Sequence, residues 1–308
     1  MIIMAKNPGT YGLDIQRDYI CIAQFSPNDT SVQQVAVQPL IVGGGGGGYW
    51  DAVAGELRGL RKKIRFTVAD IVCSLPCDMA VVKSLEAESD EREQQDILRW
   101  ELAMNLMGHA DDYAYDFYEV NPGHEAYRRK YLAAAVRRES LAKLKKIVQG
   151  IKLNPYIVDI DLFALNDAFE ANYRDKLAGA SILVHGEHQR TKMILVSNSS
   201  YVDYSVFDFD TDVRGTDDYV AMLKSEVERL TSANGDVLQG GAAVYLAGAL
   251  FTDRRFAKSV AGGVPQCEVL DPFRKVVCAT GMDSDQLKIY SPQLAVAIGL
   301  ALRGEEGN

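Results

Sequence analysis

The sequence predicts an α/β protein built on a duplicated plan, and three observations carry that prediction. Short β-rich runs alternate with stretches of helical periodicity along the whole chain. Each half opens with β runs joined by a tight polar turn and closes on helices. Hydrophobic residues make up 47% of 308 residues and charged residues 24%, enough apolar material for one large or two modest domains.

The first half begins with the run from Tyr11 to Ile15, the polar turn Gln16-Arg17-Asp18 and the run from Tyr19 to Phe25, which together predict a hairpin. A third strand is expected from Val32 to Val42. Six glycines, Gly43 to Gly48, follow. They lack the Gly-Lys-Ser/Thr ending of a phosphate-cradling loop, so a flexible surface loop is the better reading. Val53, Leu57, Leu60 and Ile64 form one face of a helix between Trp50 and Arg65. Val68 to Leu75 predicts a buried strand stopped by Pro76, and Val81 and Val82 start another. Ser89 has the character of an N-cap, with Asp90, Glu91 and Glu93 in the first turn. That helix is expected to reach Asn105 and to bury Ile97, Trp100 and Met104.

Tyr113 to Val120 and Tyr127 to Val136 flank the turn Asn121-Pro122-Gly123 as a second hairpin. Ser140 is expected to open a helix carrying Leu141, Leu144, Ile147 and Val148, closed by Gly150. A strand from Tyr156 to Ile160 leads into a helix from Asp161 to Tyr173. The second half repeats the opening rhythm: Ser181 to Val184, a turn from His185 to Gln189, Thr191 to Val196 and Tyr201 to Phe209. A helix from Asp217 to Leu230, strands at Ala243 to Ala247 and Glu268 to Leu270, and a final apolar helix from Gln293 to Leu302 complete the reading. Ser291-Pro292 would cap that last helix, with Pro at its first position.

Charge and cysteine content narrow the function classes. Thirty-three Lys+Arg against 42 Asp+Glu leave a formal net charge of −9, a field that repels phosphate backbones and anionic membranes. Five Cys spread along the chain suggest reduced thiols rather than a disulfide framework. The first residues lack the charge-then-apolar pattern of a secretory leader, and no stretch approaches the ~20 apolar residues of a bilayer span. The expectation is a cytoplasmic protein with no nucleic-acid partner. Cys73 and Cys77 are expected as buried thiols, since their spacing differs from a redox pair. His185 and His188 could share an ion, but no further ligands are identifiable in the sequence, and ordinary turn histidines are the simpler reading. The basic runs Arg61-Lys62-Lys63, Arg128-Arg129-Lys130 and Lys143 to Lys146 read as solvated faces, with anionic lipid or an acidic partner as the alternative.

The two-hairpin rhythm with a small domain inserted after the first half resembles the actin-like ATPase fold, a duplicated ribonuclease H-like architecture. Gly12-Leu13-Asp14-Ile15 resembles its first phosphate-loop strand. Ser74-Leu75-Pro76, Trp100-Glu101 and Tyr115-Asp116-Phe117 look like the inserted subdomain of PilM-type pilus-assembly proteins. Asp271-Pro272-Phe273 and the run from Pro292 to Arg303 look like the C-terminal signature of that family. FtsA-type proteins share the architecture but usually carry an amphipathic membrane tail, whereas this chain ends Arg303-Gly-Glu-Glu-Gly-Asn. The resemblance implies a first lobe from residues 1–75, 151–178 and 291–308, an insert at 76–150, and a second lobe at 179–290 with a reduced edge subdomain at about 209–241.

It also implies a nucleotide cleft formed by Asp14, Gln16, Arg17, His185, Gly186, Thr191 and Gly248, with Asp14 and His185 close together at its base. Each motif departs from the family pattern. Gln16-Arg17-Asp18 replaces a Gly and small hydroxyl residues, His185 stands where a second Asp belongs, and Ala247-Gly248-Ala249 offers a single Gly. The departures imply a degenerate site without catalytic residues or a resident cofactor. The family further implies a scaffold of a type IV pilus or type II secretion assembly, holding the N-terminal cytoplasmic segment of a PilN-like inner-membrane protein and meeting other components of the apparatus. The groove would lie between the first subdomain and the insert, and the protein would be peripheral to the membrane through its partners. The alternative is a working ATPase or kinase-like phosphotransferase using Mg-ATP.

Overall fold

The computed structural model describes residues 9–26, 28, 30–41, 48–88, 91–120, 128–235, 238, 241–279, 281 and 283–306. Most of the glycine run (Gly43 to Gly47), the Ser89-Asp90 cap and the Asn121-Pro122-Gly123 turn lie outside these residues. The first half carries β1 (Thr10–Ile15), β2 (Tyr19–Ser26), β3 (Ser31–Pro39), α1 (Tyr49–Lys63), β4 (Asp70–Leu75), β5 (Ala80–Glu88), α2 (Glu91–Ala103), β6 (Tyr113–Val120), β7 (Arg128–Arg137), α3 (Arg138–Gly150), β8 (Asn154–Ile160) and α4 (Asp161–Asn172). The second half carries β9 (Ala180–Gly186), β10 (Arg190–Ser197), β11 (Ser200–Asp208), α5 (Thr216–Ala233), β12 (Ala243–Ala247), α6 (Arg254–Gly263) and β13 (Cys267–Val269), followed by β14 (Val277–Cys278) and α7 (Ser284–Glu306).

Two mixed sheets reveal the duplication. One runs β14-β3-β2-β1-β4-β8 and the other β11-β10-β9-β12-β13. In each, a hairpin supplies the middle of the sheet, its third strand flanks it antiparallel, and two later strands add in parallel on the far side. The later strands are parallel because helices carry the chain back across the sheet face. β5, β7 and β6 form a separate three-stranded sheet with its own apolar cluster of Leu85, Leu98, Leu102, Tyr113 and Tyr131.

Helix α7 joins the layers. Leu294 to Ala301 are buried almost without exception, packing on Tyr19, Cys21 and Phe25 on one side and on Leu165 and Phe169 on the other. Two glycines allow that approach: a Cβ on Gly12 would lie 2.0 Å from the Ala297 carbonyl oxygen, and one on Gly299 1.7 Å from that of Ala164. The helix begins at Ser284, so Pro292 lies inside it rather than at its start. Proline deprives the Lys288 carbonyl of its usual donor. The Ser291 hydroxyl donates to that oxygen instead at 3.3 Å, which lets the helix continue through the proline.

Three other sequence expectations are corrected. Helix α3 begins at Arg138, two residues before Ser140, directly off the end of β7. His185 belongs to strand β9, in register with Lys192, rather than to the turn. Helix α2 ends at Ala103, short of the expected Asn105, and buries Leu98 and Leu102, while Ile97, Trp100 and the following Met104 stay exposed at 39%, 64% and 63%. Both faces of α2 are apolar, so periodicity alone selects the stripe with the larger side chains. The insert sheet packs the smaller one. Leu98→Ala is therefore expected to cost about 2–5 kcal/mol, and Trp100→Ala to stay within about 0.5 kcal/mol, measured by urea denaturation. The reverse order would return the helix to the face predicted from sequence.

Candidate functional site

The turn after β1 and the turn after β9 meet at the base of the cleft between the two sheets. The His188 N–H donates to Asp18 Oδ2 at 3.3 Å, and the Arg17 N–H to Glu187 Oε2 at 3.4 Å. Beneath the turns lies a buried polar cluster. Lys192, on β10 and without solvent exposure, places its Nζ 2.7 Å from Gln16 Oε1 and 2.8 Å from Asp161 Oδ2, and it ion-pairs with Glu187 Oε1. Gln16 and Asp161 accept hydrogen bonds from the ammonium, and the ion pair with Glu187 adds a second counter-charge. Burial opposes its charge, yet Asp161 and Glu187 hold the ammonium well above the ordinary lysine range.

Each member of the cluster is positioned from more than one side. Asp161 opens α4, and its Oδ1 accepts the N–H groups of Cys77 and Leu162 at 2.9 and 2.8 Å. Gln16 donates to Asp14 Oδ1 at 2.6 Å, and the Ser74 hydroxyl donates to the same oxygen at 2.8 Å. Burial, reinforced by Asp161, pushes the Asp14 carboxyl up to about 8. His185 Nε2 lies 2.8 Å from the Tyr19 hydroxyl. Burial first, and the Lys192 charge second, push that imidazole down to about 4, so it is neutral at physiological pH. His185 Nδ1 and Asp14 Oδ2 are both buried without a hydrogen-bond partner.

The structure brings Asp14, Gln16 and His185 into this cluster. It places the other candidates around it. Gly186 packs backbone to backbone with Gly248, whose φ of +100° and 2.4 Å approach to the Gly186 oxygen (measured from an added Cβ) exclude any side chain. Thr191 turns away, its hydroxyl 3.0 Å from that of Tyr219 in the second-half core. Arg17 is half exposed and pairs with Asp78, which also holds Arg190. Despite burial, the Arg17 hydrogen bond and the surrounding cations keep Asp78 below the usual carboxylate range. Asp161, Glu187 and Lys192 were missed from sequence. The one available signal was Lys192 itself, a charged residue at an inward position of an apolar strand. His188 faces Thr211 at 2.7 Å instead of sharing an ion with His185, whereas Asp161 and Glu187 supply the neighbours that the sequence could not identify. Cys73 and Cys77 are buried free thiols, and burial raises both.

A second candidate site is a groove of about 900 Å³ between the insert sheet, α4, β8 and the β10–β11 corner. Phe117, Ile157, Val158, Phe163 and Tyr201 form its apolar lining. Arg303 bridges Asp159 and Asp167 at 3.1 and 2.9 Å on its wall. Among the described residues, strands β6, β8 and β11, which border it, are each the last strand of their sheet, so edge strands surround an apolar floor.

The duplicated sheets, the cleft at their meeting turns and the inserted sheet define an actin-like α/β protein. Known structures agree: the chain superimposes on the PilM-PilN type IV pilus biogenesis complex with a TM-score of 0.77 at 20% identity, covering 97% of this chain and 99% of that one. A Bacteroides thetaiotaomicron protein with an actin-like ATPase fold and unknown function matches with a TM-score of 0.51 at 10% identity, over 86% and 91% of the two chains. The cytoplasmic domain of EpsL, an inner-membrane component of the Vibrio cholerae type II secretion system, also gives 0.51 at 10% identity, over 97% and 94%. Among curated proteins, none matches the chain in sequence. The family described as type IV pilus assembly protein PilM matches residues 12–202, more than half of the chain, and the protein belongs to that family.

Asp14 makes stability depend on pH. In the unfolded chain its carboxyl loses its proton near 3.8, whereas the fold keeps that proton up to about 8. The unfolded state therefore gains relative stability as pH rises through this window, at about 1.4 kcal/mol per pH unit from this group alone. Asp14→Asn retains an oxygen for Ser74 and Gln16 and is expected to flatten the decline in stability between pH 5 and 8. Unchanged pH profiles of denaturation midpoint in the two proteins would contradict the protonated Asp14.

Proposed function

We propose that this protein is a cytoplasmic scaffold of a type IV pilus or related secretion assembly, and that its groove holds the N-terminal segment of a PilN-like inner-membrane partner. The groove carries the reading. An extended segment can add main-chain hydrogen bonds to an open strand edge while its side chains enter apolar pockets, and a volume of about 900 Å³ suits a short peptide. Among the described residues no helix is long and apolar enough to cross a membrane, in keeping with attachment through a partner. The pilus complex whose fold this chain shares contains PilN together with PilM, which supports the choice of partner.

The same reading assigns the cleft no Mg-ATP. Lys192 is hydrogen-bonded to Gln16 and Asp161 and ion-paired with Glu187, and Arg17 and Arg190 both serve Asp78. Asp161 and Glu187 line the base, where a triphosphate would meet like charge. Gly186 and Gly248 touch directly, so no gap separates the two backbone segments that the family uses to approach a nucleotide.

Two measurements test these claims. A peptide spanning the cytoplasmic N-terminus of the neighbouring membrane protein should bind by calorimetry, and Phe117→Ala or Val158→Lys should weaken binding at least about tenfold, roughly 1.4 kcal/mol. Equal affinity in all three proteins would remove the groove from the reading. Mg-ATP should give no saturable heat up to millimolar concentration, and micromolar binding would restore the ATPase alternative.

A further inference from the structure

The cleft base has the ligand arrangement of a cation site, and we infer that the Lys192 ammonium is its resident cation, tethered to the chain and joining the two halves in place of a metal ion. The inference rests on the reading that the cleft takes no Mg-ATP. Ligand atoms of Asp161, His185 and Glu187 lie within 4.8 Å of one another, all buried. That spacing suits three ligands around a single ion. Two carboxylates and one imidazole form a donor set that takes divalent ions such as Mn²⁺ or Zn²⁺.

Lys192 Nζ sits among these groups, 2.8 Å from Asp161 Oδ2 and paired with Glu187. His185 Nδ1, fully buried and 3.7 Å from Glu187 Oε1, has no hydrogen-bond partner. An ammonium can satisfy only three acceptors. An ion with a larger coordination number could also engage the imidazole, so the site has more ligands than its present cation can use. Asp161 and Gln16 come from the first half, Glu187 and Lys192 from the second. The tethered cation thus holds the halves together without a dissociable ligand.

Thermal melts of the full chain test this directly. Wild-type protein should melt at the same temperature in EDTA and in 1 mM Mn²⁺ or Zn²⁺, within about 1 °C. Lys192→Ala should lose about 10 °C in EDTA, the effect of leaving buried carboxylates without a counter-charge, and Mn²⁺ or Zn²⁺ should restore at least about half of that loss by saturable binding. The double variant Lys192→Ala, Glu187→Gln should show no metal recovery. If Lys192→Ala does not fold in EDTA, a cooperative melt regained in Mn²⁺ supports the inference, and continued failure with metal overturns it. The charge-neutral triple variant Asp161→Asn, Glu187→Gln, Lys192→Met should fold and ignore metal. A saturable metal shift in wild type, no metal response in Lys192→Ala, or a metal response in the triple variant each overturns the inference. Mg-ATP in the same melts separates the two readings. A wild-type shift with Mg-ATP but not with Mg²⁺ alone would sink the empty-cleft reading, while the metal response of Lys192→Ala would still judge the tethered cation.

Discussion

A lysine ammonium with no access to water is costly to place, and the arrangement of this molecule follows from how Lys192 is accommodated. Removing an ion from water costs several kcal/mol, recovered only when close counter-charges and complete hydrogen bonding surround it. Here the oxygens come from Gln16 and Asp161 in one half and Glu187 in the other. Neither half can satisfy Lys192 alone. The relative position of the two sheets is therefore held by a short-range electrostatic requirement, and Tyr19 extends the same contact to His185. The neutral imidazole and the protonated Asp14 fit this picture, since burial disfavours the charged form of each.

Helix α7 provides the apolar counterpart of that polar contact. It lies against β1 through Gly12 and against α4 through Gly299, at distances that exclude a Cβ. These are the two elements that deliver Asp14 and Asp161 to the cleft. The Pro292 carbonyl accepts the Gly248 N–H at 2.8 Å, which ties the helix to the backbone packed on Gly186. Packing that close leaves little freedom for the cleft residues to move independently.

The groove differs in kind. Its floor is apolar, its borders are strand edges, and the insert forms one wall with a small core of its own.

Hydrophobic periodicity and turn chemistry determined most of the elements, because both are local. The hairpin at Gln16 to Asp18, the existence of a second hairpin after Val184, the Val53-Leu57-Leu60 face of α1 and most of the order of strands and helices followed from neighbouring residues alone, though α6 and β14 were not read and His185 belongs to the strand. The duplication was visible as a repeated rhythm, and Asp14 and His185 could be placed near each other on that basis. Local pattern failed where two answers were equally good locally. Helix α2 is apolar on both faces, and only the insert sheet selects Leu98 and Leu102. Pro292 reads as a helix start, and only the Ser291 hydroxyl and the packing around α7 carry the helix through it. The cleft cluster joins residues 14, 16, 161, 187 and 192, whose convergence arises from chain crossovers that no sequence window contains. A single lysine in an apolar strand signals that partners must exist. Which carboxylates those are was decided by the tertiary structure, because a buried charge is satisfied by what the fold brings within about 3 Å of it, regardless of distance along the chain.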